Sequence, residues 1–180
     1  MEFVDGLAIT DYCNQHALDI DARVELMARV CDAIDHAHRR GVLHRDLKPS
    51  NVLVVHDDHQ PIPKLIDFGI AKALEGQLGD ETIHTLDGML LGTPEYMSPE
   101  QIAGDGRAVD TRSDVYALGV MLYELVAGER PFDSQRLRSA GLTDLLRIVR
   151  DEVPPKPSTR LRNRPATASG PATPSGLATA

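Results

Sequence analysis

Eight consecutive residues, His44-Arg45-Asp46-Leu47-Lys48-Pro49-Ser50-Asn51, set a carboxylate two places before an ammonium and five before a carboxamide. Sixteen residues after Asn51 stands Asp67, followed by Phe68 and Gly69. Next comes Gly92-Thr93-Pro94-Glu95-Tyr96-Met97-Ser98-Pro99-Glu100, and later Asp114 with Gly119 five residues on. Carboxylate and carboxamide oxygens are hard donors, the kind Mg2+ takes together with phosphate oxygens. An ammonium beside a carboxylate suits chemistry in which negative charge develops on phosphate. One three-letter match is weak, but four in this order make a strong signal.

Rigid elements must hold these residues in place. Asp19 reads as a helix N-cap. After it Ile20, Val24, Met27, Cys31 and Ile34 recur at helical spacing, which predicts one apolar face of an amphipathic helix. Arg39 and Arg40 fall in its last turn and Gly41 just beyond, a C-terminal stop. Short apolar runs at Val52 to Val55 and Lys64 to Ile66, joined by HDDHQPIP, predict a hairpin. The first motif therefore sits on a loop between a helix end and a strand, and Asp67 directly follows a strand. Residues 67–100 show no clear periodicity, and a stretch that long points to function or disorder. Ser113 is expected to cap a helix apolar nearly all round, ending at Gly128 and buried in the core. A short final helix is expected from Thr143 to Arg150, stopped by Pro154 and Pro155.

The 180 residues suit one domain with a tail. Their 42% hydrophobic and 26% charged content excludes a collagen, a wholly disordered chain and a disulfide scaffold. Two cysteines imply no disulfide framework, and a reducing, cytoplasmic setting is the default. No apolar run reaches the roughly 18 residues of a membrane span, and MEFVDGLAIT lacks the basic start of a signal peptide. A net charge of −8 argues against nucleic acid as partner. The acids all lie before residue 153, and the last residues are mostly Pro, Ala, Thr, Ser and Gly. Such a composition buries too little apolar surface to fold, so 158–180 is read as a disordered tail.

The phrases HRDLKPSN, IDFGIAKAL, GTPEYMSPEQ and DTRSDVYALG together resemble the C-terminal lobe of a bacterial eukaryotic-like serine/threonine protein kinase, from Met1 to about Leu161. The resemblance implies an α+β fold, mainly helical with short β-hairpins around the catalytic loop. Residues 1–157 would be the C-lobe portion of the catalytic domain, running from hinge to the helix at 143–150. It implies ATP and Mg2+ as cofactors and serine or threonine hydroxyls of proteins as acceptors. Asp46 would accept the substrate hydroxyl proton, Lys48 would neutralise charge on the γ-phosphate, and Thr93 would bond the Asp46–Lys48 pair. Asn51 and Asp67 would hold Mg2+, and Gly69 would let the backbone turn after them. Met1 would be the gatekeeper, the Glu2 carbonyl and Val4 amide would meet the adenine edge, and Leu53 would lie under the ring. Arg45 would receive an activation-loop phosphate, with Thr82 and Thr85 as candidate phosphosites. Asp114 would hold the backbone of the catalytic loop.

Two further readings stay open: a non-catalytic kinase-like binding module, and a small-molecule phosphotransferase of the aminoglycoside-kinase type. Lys48 and GTPEYMSPE argue against the latter. The resemblance starts at the hinge, so a Gly-rich loop and a strand lysine fall outside the sequence, and the reading is of a C-lobe fragment. The arginine that pairs the glutamate at the Glu100 position is also not matched, which leaves Glu100 expected to lack its partner. His36, His38, His44, His56 and His59 invite a metal reading, but solvated histidines are the expectation. Cys31 is expected in the core, while Cys13 carries no signal.

Overall fold

The computed structural model describes residues 4–57, 60–68, 93–104 and 108–163. The hairpin forms from β2 (Val52–Asp57) and β3 (Gln60–Leu65), antiparallel, with Val52 opposite Leu65 and Asp57 opposite Gln60. β1 (Leu7–Ala8) adds to the other side of β2, in the order β1-β2-β3. β3 is therefore an edge, the place where Pro61 and Pro63 cost no ladder bond on the open side. The register continues one step past the hairpin, where the Ile66 amide donates to the Asn51 carbonyl at 3.0 Å.

α1 (Ile9–Gln15) follows β1 and buries Ile9, Tyr12 and Cys13. α2 (Ile20–His38) starts as expected, with the Asp19 carboxylate accepting the Ala22 amide at 2.8 Å. It stops at Gly41, whose φ of 73° is the left-handed conformation a glycine adopts without strain. Its buried stripe is Leu26, Met27, Val30 and Ile34. Ile20 and Val24 stay 45% and 44% exposed, and Cys31, expected in the core, is exposed, whereas Cys13, on which the sequence carried no signal, is fully buried. α2 is apolar on more than one side. At about 100° per residue the stripe that packs is turned by most of a quarter-turn from the Ile20–Val24–Cys31 line.

α3 (Pro99–Ile102) is a single turn after Ser98. α4 (Thr111–Ala127) begins earlier than expected. Asp110, not Ser113, is its cap and accepts the Arg112 amide at 2.8 Å. The helix ends at Gly128, in the left-handed region at φ 77°. Ala117, Val120, Met121 and Leu125 are buried, but Val115, at 59% exposure, and Leu122 face outward, so the helix is enclosed on most sides rather than all. α2 and α4 lie side by side, joined at one end by His38 with Asp114 and at the other by Arg23, whose Nη1 donates to the Leu125 carbonyl at 3.2 Å. Around them β2, α1 and Tyr96 complete the larger core.

α5 (Ser134–Ser139) and α6 (Leu142–Asp151) build a second core from Leu137, Leu145, Ile148 and Val149 against Ile102. α6 is one residue longer at each end than the Thr143–Arg150 reading, and it is not the last helix. After Pro154 and Pro155 the chain turns into α7 (Pro157–Asn163), packed against α4, where the expected tail begins at 158. Tyr123 on α4 ties this return, its hydroxyl donating to the Pro155 carbonyl at 2.7 Å. Helices plus one small antiparallel sheet make the expected α+β fold.

Candidate active site

The loop from His44 to Asn51 hangs from one buried carboxylate. Asp114, in the first turn of α4, accepts the Arg45 amide on Oδ1 at 2.8 Å and the His44 amide on Oδ2 at 2.9 Å. His38 Nε2 donates to the same Oδ2 at 2.7 Å. Hydrogen bonds to a carboxylate are about twice as strong as neutral ones. They contribute to holding Arg45 at φ 63°, a conformation rarely adopted by a residue with a side chain. Asp114 thus stands where the sequence expected it, on the backbone of this loop.

His44 is fully buried. Its Nε2 donates to the Ile66 carbonyl at 3.1 Å, and its Nδ1 faces the Asp46 amide at 3.4 Å, a pattern only the neutral ring satisfies. Burial pushes its pKa down, outweighing the opposite pull of Asp114 and the Ile66 carbonyl. The ring also lies 4.7 Å from that of Phe68. It therefore joins the loop to the end of β3. His38 and His44 are not the solvated histidines of the sequence reading: one is paired to Asp114, the other sits in the core. Among the described residues no group of three or more His, Cys, Asp or Glu could hold a metal.

Lys48 Nζ lies 2.9 Å from Asp46 Oδ2, both side chains about three-quarters buried. Asn51 turns its nitrogen to Asp46, donating to the carbonyl at 2.8 Å and to Oδ2 at 3.2 Å. This leaves the side-chain oxygen of Asn51, Oδ1, as the end suited to a cation. Asp67, exposed and at φ 54°, follows directly on Ile66, the residue bonded to the Asn51 carbonyl. The open end of the hairpin so sets one carboxamide just before β2 and one carboxylate two residues past β3, next to the Asn51–Ile66 backbone bond. Two hard oxygen donors fit Mg2+, which fills its remaining positions with phosphate and water. Thr93 joins Asp46 and Lys48 in lining a cavity of about 10 Å3, room for one water, together with Tyr96 and Gln101. Leu53 stands two residues past Asn51 on β2, opposite Ala8 and Lys64, and Val4 is half-buried ahead of β1. Neither reaches that cavity. Met1, Glu2, Gly69, Thr82 and Thr85 lie outside the described residues.

The segment after Thr93 is fixed by charges that the sequence reading missed. Glu95 is buried, and its Oε1 takes Arg130 at 3.0 Å and Arg138 at 2.8 Å. The Tyr96 hydroxyl bonds Glu124, the Arg130 guanidinium lies 5.7 Å over its ring, and burial holds the phenol far above its usual range. Glu100, expected to lack a partner, accepts the Ser113 hydroxyl. Burial raises its pKa, but hydrogen bonds led by Ser113 win and hold it below the usual carboxylate value. His38, Gln101, Arg130 and Arg138 find their partners from 35 to 76 residues away, a separation no local pattern signals.

A helical lobe with a hairpin-backed loop carrying Asp46, Lys48 and Asn51 defines a class, and comparison with known proteins agrees. Residues 1–169 match the protein kinase domain family. The chain is 42% identical over 159 residues to the serine/threonine-protein kinase Pkn1 of Myxococcus xanthus, covering 88% of this chain and 21% of that protein. It is 36% identical over 156 residues to the serine/threonine-protein kinase PknB of Mycobacterium tuberculosis, covering 86% and 23%. Among solved structures it is similar to the M. tuberculosis PknI kinase domain, with a TM-score of 0.59 and 28% identity over 91% of this chain and 51% of that one. Rad53 residues 1–466 in complex with AMP-PNP gives 0.63 and 27%, over 91% and 38%. The chain belongs to the protein kinase family, on its bacterial eukaryotic-like serine/threonine side. It spans about a fifth of the length of the curated relatives it matches.

Proposed function

We propose that this chain carries the catalytic loop of a serine/threonine protein kinase that moves the γ-phosphate of ATP to hydroxyls of protein substrates in the cytoplasm. The observation that supports this best is the Asp46–Lys48 pair at 2.9 Å, braced by the Asn51 amide. Asp46 is the base: the acceptor hydroxyl donates to its carboxylate, the hydroxyl oxygen bonds to phosphorus, and the bond to the leaving diphosphate breaks. The proton ends on Asp46 and the electron pair on the diphosphate. Lys48 steadies the charge gathering on the transferred group. Mg2+, when bound by Asn51 and Asp67, neutralises phosphate charge. The Val4 amide and Leu53 are proposed for the adenine ring, Thr93 for the hydroxyl side of the Asp46–Lys48 pair. The Pro94–Ser98 segment is anchored in the fold by Glu95 and Tyr96, and the protein substrate is proposed from the kinase resemblance rather than from a groove on this segment.

The test is mass spectrometry of the full-length protein incubated with Mg2+, ATP and a serine/threonine peptide pool. Phosphoserine or phosphothreonine, lost in Asp46→Asn, is the expected result. Phosphorylation that persists in Asp46→Asn, phosphotyrosine alone, or transfer only to a small molecule would overturn the reading.

A further inference from the structure

We propose that Gln101 is a positioning residue for phosphate transfer, a clamp that fixes the strained Arg45 peptide beside Asp46 and ties it to the Thr93–Ser98 segment. Gln101 is the third residue of α3, and its Oε1 accepts the Ser98 amide at 3.0 Å while its own amide reaches Ser98 Oγ at 3.4 Å. That reciprocal pair is a capping box, which glutamate closes as well as glutamine. The cap therefore leaves the nitrogen of the carboxamide unexplained. Nε2 donates to the Arg45 carbonyl at 2.8 Å, across 56 residues of chain. The orientation of the amide is dictated by its partners, since a carbonyl only accepts and a backbone N–H only donates.

Arg45 is where such a bond matters. Its φ of 63° disfavours any residue with a Cβ, and its carbonyl belongs to the peptide that leads into Asp46. Asp114 grips the amide side of Arg45 at 2.8 Å, and Gln101 grips the carbonyl side. Without the second grip the Arg45–Asp46 peptide is free to rotate towards an unstrained conformation, carrying the Asp46 carboxylate with it. Gln101 also lines the cavity shared by Asp46, Lys48 and Thr93. One side chain thus sets the Thr93–Ser98 segment and the base in a single frame.

This inference rests on the kinase reading for its catalytic part, but not for the clamp itself. Gln101→Glu keeps the acceptor and removes the donor, whereas Gln101→Ala removes both. Amide hydrogen exchange of the full-length protein, resolved by residue, reads the clamp. Gln101→Glu is expected to lower protection at Arg45 and Asp46 by roughly three- to tenfold, the weight of one neutral hydrogen bond, and to spare Ser98. Gln101→Ala is expected to lower protection at all three. Steady-state transfer to a serine peptide reads the positioning: in Gln101→Glu kcat falls by about tenfold or more while the KM for ATP stays within about twofold. Unchanged exchange at Arg45 and Asp46 in Gln101→Glu, or a rise shared equally along α4, overturns the clamp. Altered exchange with unchanged kcat overturns the positioning role. A wild-type protein that transfers no phosphate overturns the kinase reading, while the exchange data still decide the clamp.

Discussion

Asp114 satisfies two backbone amides and one imidazole with a single side chain that is 2% exposed. Asp114→Ala leaves those donors buried and unpaired, at about 1–3 kcal/mol each for the amides. A loss of about 3 kcal/mol or more is expected in urea unfolding, and a loss below about 1 kcal/mol would show that the loop does not hang from this residue. His44 makes the pH dependence legible. Burial holds its folded pKa below the ordinary 6.5, so the unfolded chain takes up the proton first. Its contribution is therefore complete above about pH 6.5 and is lost as the pH falls below it. Melting temperature should drop between about pH 7 and pH 5, and His44→Leu, though less stable at neutral pH, should show a smaller drop. An equal or steeper drop in the variant would count against a neutral buried ring. At this scale the sequence is most readable where partners are neighbours. Asp46, Lys48 and Asn51 lie within six consecutive residues, and the structure closes them on one another. The His38–Asp114 bond spans 76 residues, and nothing near His38 announces it.

Helices show the same rule in another form. α2 and α4 were legible because their caps, Asp19, Gly41 and Gly128, act within a turn. α1 and α5, of seven and six residues, are too short for an apolar period to repeat. The buried face of α2 was misread by part of a turn because the choice between two apolar faces is made by the elements it packs on, α4 and β3, not by α2. On α4 itself, position decides the cost of substitution. Met121 is fully buried, so Met121→Ala should cost about 2–5 kcal/mol. Val115→Ala, on the outward face, should cost about 0.5 kcal/mol or less. Chemical denaturation of both variants checks the pair, and similar losses would mean that something covers the outer face of α4.

Across the whole molecule, the two cores meet at Tyr116, which packs against both. The loop with Asp46 belongs to the α2–α4 core, while the Thr93–Ile102 segment bridges from it to the α5–α6 core. Burial and the charge of Glu100 raise the Tyr116 phenol to about 12. Asp67 remains exposed at the hairpin end, the single carboxylate of the proposed Mg2+ pair. Calorimetry with ATP should therefore show binding only in the presence of Mg2+, removed by Asp67→Ala. Binding that survives either the loss of the metal or the loss of Asp67 would refute the donor set. The membrane question has a narrower answer: among the described residues no helix is long and apolar enough to cross a bilayer. The α+β class was legible through the motifs that carry the kinase resemblance, but the turn into α7 was not, since PSTRLRN has no apolar period and leans on α4.

Arg45 and Asp67 both hold left-handed backbone conformations that a glycine would adopt more readily. With Ala17 at φ 47°, they are the positions to which anyone improving the heat resistance of this chain by ranking substitutions on folding free energy would be drawn. Each gain at Arg45 or Asp67 would be made where the loop and the hairpin end present their side chains, so the most robust descendants would be the ones stripped of the site. Directed evolution for endurance and directed evolution for turnover should diverge at these positions before they diverge anywhere in the helices.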